Sequence, residues 1–244
     1  MTKGKKMVVE SSVQSSSSSS SSENEDRLQI SELKGQTVSY YFKMEEIHFC
    51  PRINTRCYPS ETLKNLKDLL TAKEWLYFKN ESQFQHLFHD QFEDTLKMAP
   101  TTYLINHAVR VGDDKELWFV YNGVPIRYSI IEHALICGLK CGEYPGGWEY
   151  KRTSHFRVKT FGKGKVTKQG VLKQLEKTPT HRVADRKKLA IVMLLGGVLD
   201  HGTTDDHINH DLVDMVNDLE FCEKFPWGRY TFEKITDQIR KCWL

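Results

Sequence analysis

The sequence predicts a mainly α-helical domain carrying one small antiparallel β-sheet, an α+β arrangement within 244 residues. Two stretches predict it. Glu116-Leu-Trp-Phe-Val-Tyr121 and Val124-Pro-Ile-Arg-Tyr128 flank Asn122-Gly123. Asn-Gly between β-prone runs signals a type I′ hairpin, because both central residues need positive φ. Leu189-Ala-Ile-Val-Met-Leu-Leu-Gly-Gly-Val-Leu199 is apolar all round, the mark of a helix buried on every side. A single helical domain over residues 27–244, built around this hairpin and this helix, is the expected architecture.

The chain opens with a tail over residues 1–26. Ser15 to Ser22 is an unbroken serine run, with Ser11 and Ser12 before it and Glu23-Asn-Glu-Asp26 after it. Such a segment cannot bury enough surface to offset its ordering entropy and is expected to be a disordered spacer. Gln36 to Phe42 has strand composition, and Ile47 to Pro51 suits a second short strand or an extended lead-in. Ser60 or Thr62 is placed to cap a helix bearing Leu63, Leu66, Leu69 and Leu70. Asn80 is read as opening another, with Phe84, Leu87 and Phe88 on one face. Thr101 or Thr102 precedes a third, which bears Leu104, Ile105 and Val109 and ends near Gly112.

In the hairpin a two-residue loop fixes the register, so Tyr121 faces Val124, Phe119 faces Ile126 and Leu117 faces Tyr128. These six form an apolar face expected to point inward. Trp118 falls opposite Arg127, a pairing suited to a cation–π contact. Pro125 makes the second strand an edge. Ser129-Ile-Ile-Glu132 then fits a capping box. Ile131, Ala134 and Leu135 are the expected buried stripe of the helix it opens. Gly138 suits a left-handed end, with Leu139 packing back.

Gly142 to Gly164 reads as a long loop rich in glycine, aromatic and basic residues. Thr167 is placed to cap a helix with Val171, Leu172 and Leu175 inward. Ala184 to Leu199 is the central helix. Gly196 and Gly197 each cost it about 1 kcal/mol relative to Ala, which suggests close approach of another backbone. Asp211 to Cys222 and Thr231 to Cys242 read as two further amphipathic helices.

Gly123-x-Pro125-Ile126-Arg127-Tyr128-Ser129-x-x-Glu132-x-Ala134-Leu135-x-x-Gly138-Leu139-x-Cys141-Gly142, followed by Tyr144-Pro145, resembles the signature of the plant family called domain of unknown function 1985. Arg186-x-x-Leu189-Ala190 is similar to a later block of that family. So is Asp218-Leu219-Glu220 leading to Pro226-Trp227-Gly228-Arg229 and Phe232, with Phe221 one place closer than in the family pattern. The resemblance runs from roughly Cys50 to Trp243. It implies no assigned chemistry. It does imply an origin, since members are often joined to a Ulp1-like cysteine protease domain in proteins derived from plant transposable elements.

Composition narrows the function classes. No apolar run reaches the roughly 18 residues a membrane helix needs. The basic N-terminus, Met1 to Glu10, lacks the apolar core of a secretory signal. Cys50, Cys57, Cys137, Cys141, Cys222 and Cys242 are scattered, as befits free thiols in a reducing compartment. An intracellular location is expected, with Lys3, Lys5, Lys6 and the resemblance tilting it to the nucleus.

Candidate chemistry is sparse. Asp200, His201, Asp205, Asp206, His207, His210 and Asp211 cluster, but their spacing matches no zinc motif, and helix capping accounts for acids at a helix start. His86 and His89 make half a site at most. Cys137-x-x-x-Cys141 lacks a second pair, so the thiols read as small hydrophobes. A cysteine protease needs an ordered histidine, carboxylate and thiol; His210, Asp211 and Cys222 lie on successive helices without a nucleophile turn. Gly162-Lys-Gly164 lacks a phosphate-loop frame. No catalytic, cofactor or metal residue is therefore assigned.

The basic stretch is the one candidate interface. Lys151, Arg152, Arg157, Lys159, Lys163, Lys165, Lys168 and Lys173 occur with no Asp or Glu among them, in a chain of net charge +3. Trp148, Tyr150, His155, Phe156 and Phe161 are interleaved. Cations for phosphates and aromatics for bases are the ingredients of a nucleic-acid surface, yet a solvated loop whose aromatics fold onto the core uses the same residues. The expected function is a non-catalytic interaction or scaffold module with a protein partner, no membrane and no small-molecule substrate. Nucleic-acid binding through residues 151–173 is the first alternative. An accessory fragment of a Ulp1-like protease, lacking the catalytic half, is the second.

Overall fold

The computed structural model describes residues 39–43, 45, 58–89, 98–112, 115–148, 154–200 and 207–243. Before the sheet come α1 (Pro59–Leu69), α2 (Ala72–Asn80), α3 (Gln85–His89) and α4 (Ala99–Asn106). The sheet is β1 (Ala108–Val109), β2 (Leu117–Tyr121) and β3 (Val124–Tyr128), antiparallel in that order. After it come α5 (Ile130–Cys137), α6 (His155–Phe161), α7 (Lys168–Lys177), α8 (Val183–Leu194), α9 (His210–Met215), α10 (Leu219–Lys224) and α11 (Trp227–Lys241). The fold is mainly α with one small antiparallel sheet, as the sequence predicts.

α8 is the core helix. Every residue from Leu189 to Leu195 is almost fully buried, and Leu66 of α1 with Val171 and Leu175 of α7 belong to the same apolar cluster. The helix then widens into a π-helical turn over Leu195–Leu199, closed by Asp200 N–H donating to the Leu195 carbonyl at 2.7 Å. The two glycines sit in this turn. A Cβ on Gly196 would lie 2.5 Å from Ile208, and one on Gly197 would lie 2.5 Å from Thr62. Side chains, not a second backbone, occupy the space that these glycines leave.

Several element boundaries differ from expectation, each for a local reason. α1 is capped at Tyr58 with Pro59 at its first turn; the fixed φ of proline starts the helix there, and Thr62 is buried against Gly197 instead of capping. α2 has no counterpart among the expected helices. Thr71 and Glu74 form its capping box, and Asn80, expected to open a helix, closes this one. α4 starts after Met98 with Pro100 in its first turn, before either threonine. Val109 lies on β1 and pairs with Trp118 rather than extending α4. α6 occupies the middle of the expected long loop, with Ser154 accepting from Arg157 N–H. The helix expected over 211–222 is two, because Asp218 accepts from Phe221 N–H and caps a fresh start. α11 begins at Trp227, ahead of Thr231. Of the strand expected over 36–42, Tyr40 makes a single bridge to Val109. The tail and Ile47 to Pro51 lie outside the described residues.

A smaller apolar cluster covers the base of the sheet, where Leu117, Phe119 and Ala108 meet Leu104, Tyr128, Ile239 and Trp243. Among the described residues no helix is long and apolar enough to cross a membrane.

Candidate interaction surface

The hairpin has the predicted register, with Asn122 at φ 49° and Gly123 at φ 78°. Its burial, however, divides along its length rather than across its faces. Leu117 and Phe119 are buried, whereas Tyr121, Val124 and Ile126 are exposed. The cluster of Leu104, Ile239 and Trp243 reaches only the base, so the tip of the apolar face meets solvent. Trp118, expected outward, is buried and donates from Nε1 to Glu116 at 2.6 Å. Arg127 turns to Glu132, with Nη2 2.9 Å from Oε1.

α5 is fastened at both ends. At its start, Ser129 Oγ accepts from Ile131 N–H and Glu132 Oε2 accepts from Ser129 N–H at 2.7 Å. Burial alone would raise the Glu132 pKa; the hydrogen bonds from Ser129 and Arg127 outweigh it and hold the carboxyl below its usual range. At its end, Gly138 is left-handed at φ 63°, with His86 where a Cβ would stand, and Leu139 packs inward as expected.

The face that α5 buries is the opposite of the expected one. His133 is the buried residue, while Ile131, Leu135 and Ile136 are 60 %, 81 % and 74 % exposed. A hydrogen-bond chain explains why a histidine goes in. Thr231 Oγ1 gives its one proton to the carbonyls of Trp227 and Gly228, 3.0 Å from each. It can then only accept from His133 Nε2–H, at 2.9 Å. His133 Nδ1 is left as the acceptor of the Tyr128 hydroxyl proton, at 2.7 Å. Burial lowers the His133 pKa, keeping the ring neutral as this chain requires, and pushes the Tyr128 phenol up to about 12. With its polar ring satisfied, the helix turns Ile131, Leu135 and Ile136 outward at positions i, i+4 and i+5.

The basic stretch divides. Lys151, Arg152 and Tyr150 lie outside the described residues. Arg157 is committed to Asp214, with Nε 2.9 Å from Oδ1 and both side chains nearly buried. Lys159, Lys163, Lys165 and Lys173 are exposed and Lys168 is half-buried. Three of the aromatics fold back while His155 is exposed: Phe156 is buried, Phe161 packs on the core, and Trp148 stacks on Tyr144 and meets Phe225 edge-on. Beside them His155, Lys159, Arg182 and Lys188 line a cleft of about 190 Å³, in which Arg182 is paired with Asp185 at 2.6 Å.

Of the acidic and histidine cluster, His201, Asp205 and Asp206 lie outside the described residues. Asp200 accepts from the Tyr230 hydroxyl at 2.7 Å and pairs with Lys234. His207 and His210 stand together, their Nε2 atoms 3.3 Å apart. His89 Nε2 lies 3.0 Å from the Lys79 carbonyl, and His86 packs on Gly138. Cys222 is fully buried, and burial with nearby Glu223 pushes its thiol far up, the opposite of a nucleophile's requirement. Cys141 is half-buried, and burial with neighbouring Cys137 raises it to about 11.

Residues 105–238 match the family described as Domain of unknown function (DUF1985). The chain belongs to this family. The matched region starts at the end of α4 and takes in the hairpin, α5, the core helix α8 and most of α11. It leaves out α1, α2 and α3. No curated protein and no solved structure matches the chain. α2 and the outward row on α5 are what sequence reasoning missed. The first was signalled by Thr71-x-x-Glu74, and the second carried no local signal, because the His133 partner Thr231 stands on α11.

Proposed function

We propose that this DUF1985 chain is a non-catalytic interaction module that docks an amphipathic helix of a partner protein on the outward row of α5. The observation that carries the reading is the exposure of Ile131, Leu135 and Ile136 on one two-turn helix whose ends are both capped. Contiguous exposed apolar side chains bordered by polar residues mark protein contacts. A ridge at i, i+4 is the shape that fits the groove of another helix. The row is small. Burying three such side chains gives on the order of 3–6 kcal/mol before the costs of association, so the contact is expected to be transient unless the hairpin tip at Val124 and Ile126 joins it.

Nucleic acid is the second reading, favoured by the exposed Lys159, Lys163, Lys165 and Lys173. With Trp148, Phe156 and Phe161 turned to the core, it would rest mainly on phosphate-backbone contacts. The family resemblance supports an origin in plant transposon-related proteins, an accessory role beside a Ulp1-like protease, and a nuclear location.

Site-specific photo-crosslinking tests the main reading. A photoreactive residue at position 135 should join one discrete protein, that protein once purified should re-form the adduct, and Ile131→Asp should abolish it. Equal crosslinking from position 135 and from exposed Lys177 would refute docking on this row. A thiol-reactive ubiquitin-like probe should label nothing at Cys222.

A further inference from the structure

His207 and His210 carry an inference independent of the α5 surface. On spacing alone they match no zinc motif, but their side chains converge. The two Nε2 atoms are 3.3 Å apart, and the rings are tilted by 57° with centroids 4.9 Å apart. Two imidazole nitrogens that each lie about 2.0–2.1 Å from one tetrahedral Zn²⁺ are separated by about 3.3–3.4 Å. A right-angled pair of ligands at similar bond lengths would bring them to about 2.9 Å. The observed separation fits the tetrahedral value without requiring the rings to part.

Both residues are held by rigid neighbours. His207 forms a β-bridge with Thr167, and the next residue, Ile208, donates from its N–H to the Val166 carbonyl at 2.7 Å while its side chain fills the space left by Gly196. His210 opens α9, whose cap Asn209 accepts from Asp211 N–H. The backbone from His207 to the start of α9 is thus anchored to the core and to a helix start, so little ordering is needed to present two nitrogens to one ion. Among the described residues no third His, Cys, Asp or Glu joins them.

We propose that His207 and His210 form a two-histidine site for a tetrahedral divalent cation, Zn²⁺ foremost. Binding needs both Nε2 lone pairs. Each ring bound to the ion therefore carries any N–H proton on Nδ1.

The test is calorimetric titration of the chelator-treated full chain with Zn²⁺. The expected result is one equivalent bound, with His207→Ala and His210→Ala each weakening binding by about tenfold or more, and with exposed His181→Ala leaving it unchanged. No heat at millimolar Zn²⁺, or equal binding by wild type and both variants, overturns the site. Should a variant unfold, histidine modification of the wild type read by peptide mass spectrometry decides. Zn²⁺ must protect His207 and His210 together; protection of neither, or of one alone, overturns the proposal.

Discussion

Arg186 Nε donates to Glu74 Oε1 at 2.8 Å, joining residues 112 apart in sequence, with both side chains nearly sealed from solvent. The remaining guanidinium protons go to the carbonyls of Leu175, Thr178 and Leu69 and to Glu74 Oε2. Glu74 also closes the capping box of α2. One buried cation thus ties α1, α2, α7 and α8 together. Removing one partner strands the other charge, so Glu74→Ala should cost about 3–5 kcal/mol, read as a lowered urea midpoint. Burial alone would raise the Glu74 pKa, but the bonds from Arg186 and Thr71 leave it below its ordinary value. The sign follows: this stabilisation is complete above the unfolded carboxylate value of about 4.3 and is lost as pH falls through the folded one. Glu74→Gln should flatten the acid limb of stability against pH.

The family match begins at residue 105, whereas Glu74 and Leu69 stand before it. A chain cut to residues 105–238 would leave Arg186 buried without its carboxylate and α8 without the cover of Leu66. It should show no cooperative thermal transition by circular dichroism, whereas residues 58–243 should melt in one step.

His133 gives a second pH window. Burial depresses its pKa, so between the unfolded value of about 6.5 and the folded one the unfolded chain binds the extra proton. Stability must fall as pH drops below about 6.5, by at most about 1.4 kcal/mol per unit. Urea unfolding between pH 7.5 and 5.5 should show this slope in the wild type and lose it in His133→Phe, which should be less stable at pH 7.5 because Tyr128 and Thr231 lose their partner.

If duplex DNA binds through the exposed lysines, affinity should fall with a log–log salt slope of about −3.6 for the four of them. Lys159→Gln should reduce that slope by about one. Phe156→Leu should change stability and leave the slope alone, since its ring is inside. A mobility shift absent at low salt ends this reading.

The sequence made some elements plain because their causes are local. Asn122-Gly123 dictates the turn and therefore the register; Ser129 with Glu132, and Gly138, mark both ends of α5; the apolar run in α8 can only be buried. What it hid depends on distant partners. Nothing near Ile131 or Leu135 says they face out, because His133 turns inward to reach Thr231, ninety-eight residues away. Gly228 gives no local sign of its role until Cys141 is seen where its Cβ would be. Arg157 looks like one more free cation of the basic stretch, yet Asp214 takes it. The Thr71–Glu74 box, by contrast, is local and legible in the sequence.

The most direct test of the α5 surface measures melting and crosslinking together for Ile131→Asp/Leu135→Asp. Side chains that only a partner covers can carry charge without harming the fold, so the melting temperature should stay within about 2 °C of wild type while the adduct formed from position 136 disappears. A fall of ten degrees or more would show that the row is packed within the chain itself, and an undiminished adduct would show that the partner binds elsewhere; either result contradicts the account.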